Sequence, residues 1–364
     1  MKISEGDRGR IAMMRIGLMV SLAAGMLLSA PSAVATTYVV GRCQPRLKMF
    51  TTIQAAVLAS SAGGTVWVCP GTYPEQVTIS APLTLVGFSS GDAGRAVIAV
   101  PPNGLQVNAT SIQGGDPVAA QVLVTAGTPS VNITDMTVDG SGNNLSSPDF
   151  IAGIFYDVGT SGTVNKVTTR NQLGAGFGVG IWAQNSLASN YSVTIENSSV
   201  HDVNFIGIFV LSNQTPPTLT ATVKGNRVVT YAYGIRDQAG GTVTGNFISA
   251  GFTGITLPNG SSASVTGNTL TDAQVGIDVG NGGNVVTSNV IWNSRYGIDL
   301  FANGATIQSN NVTKVSVGIK FGCFTGTVSG NTISDAGTGI DTVPSSFTLV
   351  NTFENVDTIR TGGC

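Results

Sequence analysis

The sequence has one histidine, four cysteines and few charges, 17 Lys/Arg against 19 Asp/Glu in 364 residues. Each scarcity excludes something. One His and seven Met without ligand spacing leave metal delivery unsupported. Sparse charge with no basic cluster argues against nucleic acid and against an anionic membrane surface. Residues 16–30 form one short, almost wholly apolar run, and no other segment approaches the length of a membrane span. Helical periodicity is nearly absent too, which leaves strands and turns to build the chain.

Glycine is plentiful, 48 residues, and much of it recurs at fixed spacing. Gly-Ile stands at 234, 254, 276, 297, 318 and 339, in steps of 20 to 22. Between these pairs runs a second phrase: an aliphatic, two small or polar residues, Asn, any residue, an aliphatic. Its asparagines are Asn246, Asn268, Asn289, Asn310 and Asn331. A period near 21 is too short for a domain and too long for one strand, so each repeat is a coil that buries its apolar side by stacking on its neighbours. The β-branched residues and the alternation within each phrase make the coil three short strands with tight turns. The fold class is therefore all-β, a right-handed parallel β-helix. Equal positions then lie above one another at about 4.8 Å, the aliphatics as internal stacks and the asparagines as a structural ladder at one corner.

Arg8, Arg10 and Arg15 precede the apolar run and Ala33-Val34-Ala35 follows it, the pattern of a signal peptide over residues 1–35. Met13 or Met14 would serve equally as a start. Removing residues 1–35 leaves 13 basic against 17 acidic side chains, net −4. The remainder reads as one domain: an N-terminal cap at 36–64, coils at 65–351 and a C-terminal cap at 352–364. The expected location is secreted or periplasmic and the expected state a monomer. Cys43, Cys69, Cys323 and Cys364 are an even number in an exported chain, which favours disulfides. A long rod keeps its ends apart, so Cys43 pairs with Cys69 and Cys323 with Cys364.

Thr51-Thr52-Ile53-Gln54-Ala55-Ala56-Val57-Leu58 predicts a short helix at 52–59 that closes the stack. The succession Thr-Ile-Gln-Ala-Ala-Val (52–57), Pro-Gly-Thr-Tyr-Pro-Glu (70–75) and Leu-Thr-Leu-Val-Gly (83–87), followed by Gly-Ile coils, resembles exported β-helix proteins of the pectin lyase-like superfamily. The resemblance spans residues 38–351. It implies the fold and leaves the activity open, because the superfamily holds lyases, hydrolases, esterases and epimerases alongside proteins without known chemistry. Polygalacturonase-like members carry Asn-Thr-Asp, Asp-Asp, Gly-His-Gly and Arg-Ile-Lys; none occurs here, and His201 stands in Val200-His201-Asp202. Gly71, Tyr73 and Glu75 match an early motif of pectin methylesterase-like members, whose catalytic motifs are missing.

The phrase extends backwards to Gly207, Gly180 and Gly153, and there the coils lengthen around 139–150, 169–177, 184–192 and 211–219. These loops flank the Gly-Ile strand, which by the resemblance is the substrate-binding face. If its Ile points inward, the next residue points out. The outward column reads Phe155, Trp182, Phe209, Arg236, Thr256, Asp278, Asp299, Lys320, Asp341. Three exposed aromatics on successive coils would make a sugar-stacking platform, unless the loops fold over them as a satellite cluster. Asp278 and Asp299, about 5 Å apart on adjacent coils, would share a proton as glycosidase carboxylates do. With Arg236 and Lys320 they form the candidate catalytic set, and they would also suit a uronate or Ca²⁺; no motif requires a cofactor or a resident metal. Alternatively Lys320 bridges Asp299 and Asp341 in a solvated ladder. Asp139, Arg170 and His201 form a second column, a surface ion-pair stack in which His201 could still serve the groove as a base. The expected partner is a polysaccharide or cell-surface glycan. The functions in view are glycan binding, a polysaccharide lyase or glycoside hydrolase acting on a uronate-containing glycan, and a non-catalytic surface spacer.

Overall fold

The computed structural model describes residues 35–88, 94–143, 150–174, 176–258, 260, 262–343 and 350–364. The signal-peptide assignment falls outside them, apart from Ala35, as do residues 144–149 of the 139–150 loop. From Thr37 to Gly362 the described chain winds as a right-handed parallel β-helix. The Gly-Ile strands stack as one face: Phe150–Tyr156 on Phe177–Asn185, then Ile206–Ser212, Tyr233–Asp237, Thr253–Leu257 and Val275–Val279. The strands leading to each Asn, such as Gly241–Thr244 on Ala263–Thr266, make the second face. Those following it, such as Phe247–Ala250 on Thr269–Thr271, make the third. Among the described strands only one pairing is antiparallel, Ala109–Thr110 with Pro117–Val118, where residues 100–116 fold back as a hairpin.

The alternation in sequence becomes an inside and an outside. Ile154, Ile181, Ile208, Ile235, Ile255, Ile277, Ile298, Ile319 and Ile340 are all fully buried in one stack. Each contributes roughly 1.5 to 3 kcal/mol by leaving water. Glycine precedes each of them because the next rung is too close for a side chain. A Cβ on Gly276 would lie 2.5 Å from both the Gly297 carbonyl oxygen and the Ile291 Cγ2.

The ladder is longer than the repeat suggested. It runs from Asn226 through Asn246, Asn268, Asn289, Asn310 and Asn331 to Asn351, each backbone N–H and each Nδ2 donating to the next Oδ1 at 2.8 to 3.0 Å. The Nδ2 groups also donate to carbonyls of the preceding rung, as Asn268 does to Val243. Buried amides are thus satisfied without water. The residue before each Asn from Asn226 to Asn331 turns the corner in the left-handed region, Gly267 at φ +66° and Ser288 at +56°, hence the preference for Gly there.

A helix caps the start, and a disulfide lies at each end. The helix Ile53–Ala59 is capped by Thr52, whose hydroxyl accepts from Ala55 N–H. Glu75 accepts from the Ile53 and Gln54 N–H groups at 2.7 and 3.0 Å, and the Tyr73 hydroxyl donates to the Cys69 carbonyl at 2.9 Å. The Gly-x-Tyr-x-Glu match therefore fastens the cap. Cys43 is bonded to Cys69 and Cys323 to Cys364, so each bridge stays at one end. Two expected boundaries move. Thr37–Val40, within the expected N-terminal cap, already pairs as a rung with Gly64–Val68. Residues 352–364, expected as a cap, lie mostly in the strand Val350–Gly362, which pairs in parallel with Gly326–Val343. Phe353 and Thr352 continue the same alternation, and that is why the rung persists.

Candidate functional site

The outward column is built as the repeat dictates. Phe155, Trp182, Phe209, Arg236, Thr256, Asp278, Asp299, Lys320 and Asp341 are successive register partners. Their exposure differs from the expectation. Phe155 and Trp182 are fully buried and Phe209 is 2 % exposed. The exposed stacking platform is thereby corrected to a second apolar cluster outside the coil. Its cover is the 100–116 hairpin together with Phe150 and Phe205. Gln184 pins the hairpin, donating to the Thr110 carbonyl at 2.9 Å and accepting from Ile112 N–H at 3.0 Å. The rings pack in sequence: Phe155 to Trp182 at 5.0 Å and Trp182 to Phe209 at 5.1 Å between centroids.

The cover is incomplete. A cavity of about 300 Å³ opens beside Trp182 and Phe209, walled by Phe150 and Phe205, by Ser111 to Asp116 of the hairpin, and by Arg236. A further row of aromatics stands one to three residues before the Gly-Ile pairs from Gly153 to Gly254. Phe150, Phe177, Phe205, Tyr233 and Phe252 form a continuous chain of ring contacts at 4.6 to 5.6 Å. Phe177 and Phe252 are exposed. Sequence reading missed these rings because their offset from Gly varies from one residue to three. It missed the hairpin as well, although Gly114-Gly115-Asp116 in a long gap between strands is a turn signal.

Beyond the cavity the column becomes charged. The Arg236 guanidinium lies 5.4 Å from the Phe209 ring centroid and its Nε has no partner among the described residues. Burial pulls its pKa below the ordinary arginine value, against the opposing pull of Tyr233 and Asp278. Asp278 is pushed up to about 6, first by burial and then by the charge of Asp299, with Arg236 and Lys320 opposing. Asp299, 4 % exposed, is also raised by burial, against the hydrogen bond and charge of Lys320. Lys320 Nζ lies 3.0 Å from Asp299 Oδ2 and within 5.3 Å of the Tyr296 and Phe301 ring centroids. The expected bridge from Lys320 to Asp341 is not made; Asp341 accepts instead from the Thr361 hydroxyl of the last rung.

The second column resolves differently. Asp139, Arg170 and His201 are register partners. Arg170 binds Asp139 at 2.9 Å, and hydrogen bonds from Ser141, Asn171 and Arg170 overcome burial to hold the Asp139 carboxyl below its usual range. His201 leaves this stack: its Nδ1 lies 2.6 Å from Asp202, a left-handed corner residue, and it is not among the residues lining the cavity. The carboxylate pair, Arg236 and Lys320 are thus brought together on the Gly-Ile face, and His201 is not.

Fold and site together define a right-handed parallel β-helix with a partly roofed cavity on its Gly-Ile face. Residues 217–363 match the family model described as periplasmic copper-binding protein (NosD). The mannuronan C-5 epimerase A-module of Azotobacter vinelandii is similar, with 18 % identity over 85 % of this chain and 92 % of that one and a TM-score of 0.53. So is the GH136 lacto-N-biosidase from Eubacterium ramulus, 10 % identical over 89 % of this chain and 68 % of that one, TM-score 0.55. Identities this low establish the fold. None of the curated proteins matches. All four cysteines are in disulfides, His201 is engaged by Asp202, and no three His, Cys, Asp or Glu converge among the described residues. These side chains do not fit a copper centre.

Proposed function

We propose that the protein is exported and binds a carbohydrate chain along its Gly-Ile face, seated in the cavity and extending over the charged column. One observation carries this reading. A single outward column joins a cavity with an aromatic floor to Arg236, Asp278, Asp299 and Lys320. Apolar ring faces with a few convergent polar groups are what a sugar chain needs, and a rung spacing near 4.8 Å is close to one sugar unit per rung. Two disulfides suit an oxidising compartment outside the cytoplasm. The test is to titrate the purified protein with a panel of acidic and neutral polysaccharides, with and without Ca²⁺. Phe205→Ala should weaken binding by about 1 to 3 kcal/mol, the range of an interface anchor. A protein that binds none of the panel is a spacer.

Asp278 favours a second reading, a lyase or hydrolase acting on a uronate-containing glycan. A carboxyl with its pKa near 6 beside Asp299 can donate a proton near neutrality, while Lys320 opposes the rise that burial imposes on its neighbour. Chain cleavage in the same panel, abolished by Asp278→Asn with binding kept, would support it; binding without cleavage would leave the first reading alone.

A further inference from the structure

Charge is unevenly placed along the chain. Residues 36–74 carry Arg42, Arg46 and Lys48 and no acidic side chain, whereas residues 75–364 carry ten basic and seventeen acidic ones. The first stretch is therefore +3 and the remainder −7, with the histidine neutral. The average over the chain, which argues against an anionic surface, hides this contrast. The fold gathers the three cations at one end of the rod. Lys48–Phe50 is the outermost strand there: it pairs with Thr37–Val40, whose other edge pairs with Gly64–Val68. Arg42 and Arg46 stand on the loop that enters this strand, and the capping helix Ile53–Ala59 follows it.

None of the three cations meets a carboxylate among the described residues. Lys48 Nζ lies instead 5.4 and 5.2 Å from the Tyr38 and Phe50 ring centroids. All three side chains are exposed. So are two large apolar ones at the same end, Met49 at 48 % in the outermost strand and Leu58 at 72 % on the helix. The loop that carries the arginines is held in place, because Cys43 is bonded to Cys69 and the Gly41 N–H donates to the Phe50 carbonyl at 3.0 Å. A cleft of about 350 Å³ opens between Arg42 and Met49, walled by Pro45 and Leu47. A cation and an apolar wall thus share one mouth.

Cations interleaved with exposed apolar side chains fit a surface whose charge lies directly above an apolar layer, as in a phospholipid bilayer. A small anion would use the arginines and leave Met49 and Leu58 in water; an apolar peptide would leave the arginines unpaired. The path of the chain agrees. The apolar run 16–30, read as the export signal, ends five residues before Ala35, where the described chain begins, so this end of the rod is the first to follow the signal out of the membrane. The acidic remainder is repelled by the same surface. That repulsion decays over about 8 Å at physiological salt, so the later rungs do not cancel the attraction at this end.

We infer that the N-terminal end of the β-helix is a docking surface for an anionic phospholipid membrane, with Arg42, Arg46 and Lys48 on the headgroup phosphates and Met49 and Leu58 at the acyl boundary. This rests on the export proposed above and is independent of glycan binding. The cavity and the charged column, on later rungs, stay clear of the lipid.

The experiment is cosedimentation of the chain from residue 36, which holds the described fold, with vesicles of phosphatidylglycerol and phosphatidylcholine in equal parts, and with vesicles of phosphatidylcholine alone. The protein should bind the anionic vesicles, release them in high salt, and ignore the neutral ones. Replacing Arg42, Arg46 and Lys48 together by Gln should weaken binding by about 100-fold, roughly fivefold for each cation. Met49→Ser combined with Leu58→Ser should weaken it by about tenfold. Lys224→Gln with Arg227→Gln, cations of the acidic remainder, should leave it unchanged. Matching thermal melts show that the variants fold; should the triple variant fail to, Arg42→Gln with Arg46→Gln, on the exposed loop, should still cost about 25-fold. Leu58→Trp should add emission that brominated acyl chains quench, and Val350→Trp, at the other end, emission that they do not. Absence of binding to anionic vesicles, equal binding to neutral ones, or undiminished binding by the arginine variants would overturn the assignment. So would polyglutamate binding as tightly as the vesicles and losing nothing with Met49 and Leu58 changed, which would make the partner an acidic polypeptide. None of these outcomes bears on glycan binding, which the polysaccharide panel reads separately.

Discussion

Asp278 and Asp299 are register partners on adjacent rungs, yet only Asp299 has a cation in contact: Lys320 Nζ, 3.0 Å from its Oδ2. The asymmetry follows from the order of the column. Lys320 is next to Asp299, whereas Asp278 has Thr256 on its other side and Arg236 one rung further on.

Asp278 should therefore make stability depend on pH. Its folded pKa of about 6 lies above the ordinary 3.8, so between those values the folded protein keeps a proton that the unfolded chain releases. The resulting stabilisation is complete below the lower value and is lost as pH rises through the upper one. Asp278→Asn should gain stability over the wild type progressively across that window and hold a constant advantage above it. Urea denaturation at a series of pH values measures this; a pH-independent difference would show that the carboxyl is not perturbed.

Trp182→Ala should cost about 3 to 5 kcal/mol, as expected of a buried aromatic truncated in a packed cluster. The midpoint of urea unfolding reports it. A loss below about 1 kcal/mol would mean that the hairpin cover is loose and the ring accessible.

The difference between that expectation and a solvent-exposed platform shows what the sequence could express. Register, inward isoleucines and the Asn corner all follow from a repeat of about 21 residues, because identical phrases must occupy identical places; the helix at the start follows from its Thr cap and apolar spacing instead. The order of the charged column was legible for the same reason. Whether Trp182 meets water was not, since strand parity tells only that a side chain leaves the coil. What covers it is the 100–116 hairpin, which carries no repeat and is held by Gln184, an amide with nothing in its local sequence to mark its partner. His201 went astray similarly, because a neighbouring acid at a left-handed corner competed successfully with the column.

Asn289→Ala should be among the most damaging small changes in the rod. It removes the acceptor of two Asn268 donors and the donor to the Val265 carbonyl, all buried. Leaving such groups open costs about 1 to 3 kcal/mol each, so a loss of roughly 3 kcal/mol or more is expected. Asn351→Ala, at the open end of the ladder, should cost less; equal losses in urea unfolding would argue that the ladder contributes little beyond local turns.

Cys364→Ser should act on the last rung. The bridge to Cys323 closes a 41-residue loop, worth about 4 kcal/mol in the chain-entropy model. Hydrogen exchange should quicken over Val350–Gly362 while the rungs around Asn268 remain protected. Uniform quickening along the rod would contradict this.

The most direct measurement of the central claim is a crystal structure of the protein with the tightest-binding oligosaccharide of the panel. The account predicts sugar density on the Gly-Ile face, from the cavity between Asp116 and Phe209 past Arg236 toward Asp278 and Lys320. Density on either of the other two faces, or a panel from which no oligosaccharide binds, would contradict it.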